Sequence, residues 1–301
     1  MEITYKNCNI CPRNCGIDRS GSVGVCRSGD KVKISRVSRH MYEEPAICGE
    51  SGAGTVFFSG CNLGCIFCQN SVISRRSVGR EFDENELAEL FLTVAESGVA
   101  TLDLVTPTHF TPTVAAALKK VKEKLTIPVV WNSGGYESTE SLALLRGLVD
   151  IYLPDFKYYS SEIAAKYSRA SDYRERAEEA LLFMYDMLGE AVEDEKGMMK
   201  KGIIVRHLVL PGQRKDSVAC LRRLAEILPV KDFRLSLMSQ YTPDFYTGDD
   251  KNLLRRVTTF EYESVLAEAE KLGFEGYMQS PSSASAKYTP VFSETFSLDL
   301  T

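Results

Sequence analysis

The sequence predicts an α/β fold built from repeated βα units around a parallel sheet, and three observations carry that prediction. From about residue 55 onward, short β-branched or aliphatic runs alternate with amphipathic stretches, six or seven times over. Most of the apolar runs lack the polar alternation of a half-exposed strand, as strands buried on both faces do. With 44% hydrophobic and 26% charged residues in 301, the chain has enough apolar side chains for a large core in roughly one to two domains.

Residues 1–50 stand outside the alternation. They carry cysteines, Gly and Arg with no helical period, and a segment this short buries little core without a staple, so a small metal-binding lobe is expected there. The part built of βα units is expected over 51–280. Its strands are TVFFSG near 55–60, TLDLV at 101–105, PVVW at 128–131, DIYL at 150–153, GIIVRHLVL at 202–210, FRLSLM at 233–238 and GFEGYM at 273–278. Between them, Asp83 with Glu86 reads as a capping box, Thr111 and Pro112 as N-cap and first helical residue, and Thr258 with Glu261 as a second box. A long helix is expected over 172–189, stopped by Gly189, and the charged run EAVEDEKGMMKKG after it reads as an exposed loop. The Ser-rich tail 281–301 has weak periodicity and is expected to wrap the surface or move.

Charge and hydropathy exclude several functions. Thirty-six Lys and Arg against 41 Asp and Glu give a formal −5, which speaks against a nucleic-acid partner. No apolar run reaches the roughly 18–20 residues that cross a bilayer, and MEITYKNCNI has no basic flank before an apolar stretch, so a cytoplasmic protein without a membrane partner is expected.

The cysteines hold the chemistry. Eight of nine fall in the first 68 residues, the number is odd, and clustered thiols in such a chain hold metal more often than they form disulfides. CNLGCIFCQN places Cys61, Cys65 and Cys68 at C-x3-C-x2-C directly after the first βα strand, bracketed by Gly60 and Gly64. Three thiolates that bind three irons of a cubane leave the fourth open to a small molecule, and that open corner is a reaction site. A structural zinc would want a fourth ligand, which His109 or Cys48 supplies only if folding brings it near. Cys8, Cys11, Cys15 and Cys26 form a second set, C-x2-C-x3-C-x10-C, with enough thiolates to close a zinc site or hold a second iron–sulfur cluster. Cys48 and Cys220 have no partners at ligand spacing and read as small buried side chains.

C-x3-C-x2-C in a loop after the first strand resembles the radical S-adenosylmethionine (SAM) superfamily, and the resemblance implies a partial (βα)6 barrel of parallel strands. It further implies that Cys61, Cys65 and Cys68 hold a catalytic [4Fe-4S] cluster whose open iron is chelated by SAM, an electron then splitting the sulfonium to a 5′-deoxyadenosyl radical. The longer resemblance is to the pyruvate formate-lyase-activating enzymes and proteins like them. Asp155 and Lys157 in DIYLPDFKY match the D-x-K of the activases; Asn132 and Ser133 in WNSGGYE sit where those proteins turn near the ribose; Arg206 matches the arginine of their R-x-x-V-P-G-like strand; Phe67 matches the aromatic residue beside the adenine.

Two departures stand out. LVTPTHF replaces the GGE that grips the SAM amino group, which leaves Thr106, Thr108 or backbone carbonyls for that task, and LMSQYTP puts Gln240 where activases carry a His. Gln hydrogen-bonds a hydroxyl but carries no charge. Each of these residues also has a plain reading: Asp155 and Lys157 as a loop ion pair, Asn132 to Gly135 as a turn, Arg206 as a buried carboxylate's partner, His109 and His207 as structural hydrogen-bonders. Their shared place at the carboxyl ends of parallel strands favours a site. The resemblance thus implies a radical SAM oxidoreductase that generates a glycyl radical on a partner enzyme, with a flavodoxin- or ferredoxin-type electron donor; Arg75, Arg76 and Arg80 after the loop read first as ordinary surface charge and otherwise as a local patch for that donor. Radical modification of another protein, peptide or small molecule is the alternative; a non-catalytic iron–sulfur or zinc protein is a third, against which the strand-end pocket argues.

Overall fold

In the computed structural model, which describes residues 2–279, 290 and 292–301, each of the seven apolar runs is a strand. In chain order the strands are β1 (Val32–His40), β2 (Ala53–Phe58), β3 (Arg80–Phe82), β4 (Thr101–Val105), β5 (Val129–Ser133), β6 (Ile151–Pro154), β7 (Val192–Glu193), β8 (Met199–Leu208), β9 (Arg234–Met238), β10 (Gly276–Met278) and β11 (Ser297–Asp299). The helices are α1 (Pro45–Cys48), α2 (Ser71–Arg75), α3 (Glu84–Glu96), α4 (Thr111–Val121), α5 (Thr139–Ala143), α6 (Ser161–Ser168), α7 (Tyr173–Leu188), α8 (Arg214–Ile227) and α9 (Thr259–Leu272).

β2, β4, β5, β6, β8, β9 and β10 lie side by side, each parallel to the one before it. Strands that neighbour each other in sequence order, joined by crossovers of one hand, put every helix on the same face and leave the other face concave. This is the mostly parallel α/β sheet of a partial barrel. The pleat then sorts the side chains. Leu102, Leu104, Trp131, Tyr152, Ile203, Val205 and Leu235 join the helices in the main core, whereas Val130, Ile151, Leu153 and Ile204 face the concavity.

No helix of the βα series can cover that inner face, and α1 fills its lower part. Ala46, Ile47 and Cys48 pack with Ala53, Val130, Ile151, Leu153, Met199 and Ile204 in a separate apolar cluster, and Thr101 Oγ1 donates to the Ile47 carbonyl at 3.1 Å. The segment between β1 and β2 is thus the floor of the barrel, and Glu43 and Glu44 enter at its upper edge.

Both capping boxes close as expected, Asp83 with Glu86 on α3 and Thr258 with Glu261 on α9, and α7 stops at Gly189. Three expectations change. Thr111 is the first residue of α4 and not its cap, because a 3-10 turn at Thr108–Phe110 runs straight into the helix and the Thr111 N–H and hydroxyl both donate to the Thr108 carbonyl. The charged run after α7 is a hairpin, β7 pairing antiparallel with β8. Within residues 1–50, Val32–His40 is a strand antiparallel to β2, and it carries β3 and β11 on its outer side. Of the tail, residues 280–289 and 291 lie outside the described residues, while β11 pairs with β1 as an edge strand.

Ile47 is fully buried. Ile47→Ala is expected to cost about 2–5 kcal/mol by the loss of packing and the cavity it leaves, measured as a drop in the urea unfolding midpoint.

Candidate active site

The cysteine loop begins at the end of β2 with Gly60, whose φ is +90°. A Cβ there would meet the Ser28 hydroxyl at 2.2 Å and the Cys26 carbonyl at 2.6 Å, so only glycine lets the chain turn this close to the N-terminal lobe. Asn62 Nδ2 donates to the Tyr136 carbonyl at 2.6 Å and Arg75 Nη2 to the Cys65 carbonyl at 2.9 Å, which pins the loop to the β5 end and to α2. The Leu63 N–H points at Cys61 Sγ (3.4 Å), and the Ser168 hydroxyl donates to Cys65 Sγ (2.9 Å). Burial, reinforced by Cys65, pushes the Cys61 thiol up to about 12 and Cys68 upward as well. Thiols so placed keep their protons at neutral pH unless cationic metal holds them as thiolates.

All three cysteines line one cavity of about 200 Å³ at the carboxyl ends of the parallel strands, and so do Phe67, Thr106, Asn132, Ser133, Asp155, Lys157, Arg206 and Gln240. The whole set of strand-end residues singled out in the sequence is therefore brought together. Asp155 is the hub. It pairs with Lys157 Nζ, and its Oδ1 accepts from Arg206 Nε at 3.1 Å. Arg206 Nη2 donates to Asn132 Oδ1 at 2.6 Å. Burial alone would raise Asp155, but Lys157 and Arg206 outweigh it and hold the carboxyl below its ordinary range. Burial likewise pulls on Lys157, yet Asp155 and the Cys65 thiol keep its ammonium above its usual value. The plain reading of Asp155, Lys157 and Arg206 as ion pairs is correct as far as it goes, and the pairs face the cavity.

Gly135, with φ +75°, sits where a Cβ would lie 2.1 Å from the Asp155 carbonyl, so the turn after β5 closes tightly onto the D-x-K loop. Thr106 has φ +60°, a conformation that a β-branched residue adopts at a cost of about 1–3 kcal/mol and only where its surroundings impose it. Thr108 is turned away, its hydroxyl on Glu137 at 2.6 Å. Phe67 stands edge-on to Tyr167 and Tyr241, and Gln240 accepts from Gln279 Nε2 at 3.0 Å. His109 and His207 are structural: their rings bond the Ser59 and Phe156 carbonyls, and burial pushes them down to about 3 and about 4.

Among the lining residues that were not foreseen are His40 and Glu43. His40 ends β1 and Glu43 follows it, and the period-two signal of VKISRVSRH is interrupted by a bulge between Ile34 and Arg36, which hid the strand. Glu43 lies 3.6 Å from Arg206 Nη1 and 3.9 Å from His40 Nε2. Burial raises Glu43, Glu44 and Asp103 above the ordinary carboxylate range even though Arg206 pulls the other way.

Cys8, Cys11 and Cys26 are buried and Cys15 is half-buried. Burial pushes the Cys11 thiol up to about 12 and raises Cys26. Among the described residues, no three His, Cys, Asp or Glu side chains converge closely enough for a single metal ion. Cys48 and Cys220 are buried away from both sets, Cys48 in the floor cluster and Cys220 in α8.

Arg206→Gln removes the cation from four carboxylates. It is expected to cost about 3–5 kcal/mol at neutral pH. The sign of its pH dependence follows from the directions above. In the wild type, the stabilisation from the lowered Asp155 is present above its ordinary value and lost as pH falls through it. In the variant, burial acts unopposed by Arg206 on Glu43, Glu44 and Asp103, so stability declines as pH rises. The gap between the two unfolding midpoints should widen as pH rises above the ordinary carboxylate range.

The comparisons agree with this geometry. An uncharacterized protein of Methanocaldococcus jannaschii, MJ0674, is 28% identical over 279 residues, 90% of this chain and 76% of that one. Among solved structures, a radical SAM methyltransferase from Sphaerobacter thermophilus superposes with a TM-score of 0.52 at 12% identity, over 75% of this chain and 65% of that one. SuiB of Streptococcus suis, bound to its precursor peptide SuiA, superposes with a TM-score of 0.53 at 12% identity, over 78% and 51%. The chain thus spans under two thirds of either, and at such identity the likeness speaks to the fold alone. Residues 55–225, more than half of the chain, match the Radical SAM superfamily, and the chain belongs to that superfamily.

Proposed function

We propose that the chain cleaves SAM reductively and directs the 5′-deoxyadenosyl radical to the α-hydrogen of a glycine residue in a partner enzyme. The observation that carries this reading is the single cavity that holds three cysteines and the Asp155–Lys157–Arg206 array together. A [4Fe-4S] cluster on Cys61, Cys65 and Cys68, with one iron open, supplies the low-potential electron.

The chain's own residues bind and orient the nucleotide. Lys157 and Arg206 offer N–H donors to its carboxylate, and Asp155 and the strained Thr106 backbone face its amino group. Asn132, Ser133 and Gln240 meet ribose hydroxyls, and the Phe67 ring packs against the base. The rest of the wall is largely apolar, with Phe57, Leu63, Val105, Leu208 and Met238. Apolar walls exclude water and offer few polar hydrogens to a radical. They also suit a glycine backbone, which needs room and no side-chain pocket. The reductant is proposed to be a flavodoxin- or ferredoxin-type protein. Of the arginines after the loop, Arg80 is engaged by Glu86, Arg75 by the Cys65 carbonyl, and Arg76 is exposed.

A second reading, radical modification of another protein, peptide or small molecule, is favoured by the His40–Glu43 pair on the wall and by Thr106 and Gln240, which depart from the activase pattern. The test is anaerobic reconstitution followed by reduction with SAM and a Gly-containing loop peptide deuterated at Cα. Deuterium in 5′-deoxyadenosine and a glycyl paramagnetic resonance signal are expected; cleavage without either favours the second reading, and no SAM cleavage refutes both. Cys61→Ala/Cys65→Ala/Cys68→Ala should abolish 5′-deoxyadenosine formation and remove one cluster's iron. Asp155→Asn should weaken SAM binding about tenfold or more, a loss of at least about 1.4 kcal/mol by calorimetry.

A further inference from the structure

The rim formed by the carboxyl ends of the strands carries a second hollow, a groove of about 650 Å³ that shares no lining residue with the cysteine cavity. Tyr159 and Ile163 line it after β6, Arg214 and Lys215 after β8, and Arg255 and Phe260 after β9. We propose that this groove is where the reductant docks, and that the reductant is an acidic one-electron carrier protein presenting the edge of a flavin. This rests on the radical reading and deepens it by placing the electron donor on the surface.

Charge selects the sign of the partner. Both carboxylates of the groove are engaged within the chain. Asp216 accepts from the Tyr159 and Ser160 N–H groups at 3.1 and 2.8 Å. Glu261 accepts from Arg255 at 2.7 and 2.8 Å and from the Gly212 N–H at 2.7 Å. Arg214 and Lys215 form no ion pair among the described residues. In a chain of formal −5, a groove whose unpaired charges are both cationic fits an acidic partner and speeds its encounter at low salt. The arginines after the cysteine loop offer no such charge: Arg75 holds the Cys65 carbonyl, Arg76 lies 3.9 Å from Glu294, and Arg80 is paired with Glu86.

The apolar part of the groove selects the kind of carrier. Phe260 is 68% exposed, with the Arg214 guanidinium 5.2 Å from its ring centre, and Tyr159 is 37% exposed. Two aromatic faces beside unpaired cations suit a flat aromatic cofactor edge ringed by carboxylates, and they offer an inorganic cluster nothing to stack on.

Position selects the task. Helix α6 separates the groove from the cysteines: Ile163 faces the groove, and Ser168, about 7–8 Å further along the axis, donates its hydroxyl to Cys65 Sγ at 2.9 Å. Gln213 Nε2 donates to the Tyr167 hydroxyl at 3.0 Å, and the Ile66 N–H donates to the Tyr167 carbonyl at 2.9 Å. The Tyr167 ring in turn stands 6.1 Å from Phe67, inside the cysteine loop. A carrier seated here is one helix away from the thiols and leaves the cavity to the nucleotide and the substrate. One electron crosses at each docking: the carrier is oxidised, the cluster proposed on Cys61, Cys65 and Cys68 is reduced, and no atom moves.

The test reads binding and turnover separately, on the reconstituted chain with purified flavodoxin as the probe. Arg214→Glu/Lys215→Glu reverses both unpaired charges, and acidic residues are favourable in the first turn of α8, so the fold should hold. By calorimetry the variant should bind oxidised flavodoxin about tenfold or more weakly than the wild type. Wild-type affinity should fall between about 50 and about 300 mM salt. SAM cleavage by the variant should drop about tenfold or more with reduced flavodoxin and stay within about twofold with dithionite, a small ion that needs no docking. Phe260→Ala, which keeps every charge, should weaken flavodoxin binding about fivefold or more. No binding by the wild type, affinity indifferent to salt or to both variants, or equal losses with the two reductants overturns the site. Displacement of flavodoxin by the Gly-containing loop peptide also overturns it and gives the groove to the substrate. Should the double variant misfold, Phe260→Ala and the salt series decide. A wild type that cleaves no SAM with dithionite refutes the radical reading itself, a different failure that leaves the binding results standing.

Discussion

The contact between Arg206 and Asp155 holds the open barrel together at the level where chemistry is proposed. β6 and β8 pair for two residues, Ile151 with Gly202 and Tyr152 with Ile203, before the ladder is interrupted near Pro154, which has no N–H to donate. They meet again through an isolated bridge between Asp155 and Arg206, where the Phe156 N–H donates to the Arg206 carbonyl at 2.8 Å and the side chains form the ion pair. At that bridge the side chains of Asp155 and Arg206, with Lys157 two residues on, line the cavity. Removing one partner strands a buried charge, which costs more than the pair itself contributes.

The same guanidinium couples the floor to the site. α1 closes the concave face below with apolar side chains, and the two glutamates before it lie within the field of Arg206. Burial drives these acids toward neutrality while Arg206 favours their ionisation, so the charge state of the cavity wall depends on how far the floor is seated. In a medium of low dielectric, small displacements of Glu43 change that balance strongly. A plug that were only apolar would seal the barrel equally well; this one also sets the electrostatics above it.

How much was legible follows from which signals are local. β4 at Thr101–Val105 and the capping boxes at Asp83 and Thr258 are written in runs of a few residues, and they fold as read. The strand-end residues were found because parallel strands put consecutive carboxyl ends on one rim, which turns a sequence position into a spatial one. β1 was missed because its bulge breaks the alternation, and Glu43 and His40 were missed with it, since a strand that is not recognised has no rim. β7 was hidden by its charge: a two-residue strand in EAVEDEKG owes its form to the pairing with β8 and to no propensity of its own. Thr111 misled because a hydroxyl before Pro looks like a cap until the preceding turn is seen to take its N–H and hydroxyl at the Thr108 carbonyl.

The lobe and the barrel are not independent units, and Arg19 shows why. Its partners come from both: Ser28 and Gly29 in the lobe, the His109 carbonyl at the end of the β4 loop, and the rings of Tyr5 and Phe110 at 4.9 and 5.4 Å. Cys8 Sγ lies 3.9 Å from Arg19 Nη1, within reach of a weak sulfur hydrogen bond. One guanidinium thus fastens the lobe to the barrel. Its seat positions the His109 carbonyl and, through the His109 ring, the Ser59 carbonyl next to Gly60. The seating of the lobe thus also steadies the turn from which Cys61, Cys65 and Cys68 project.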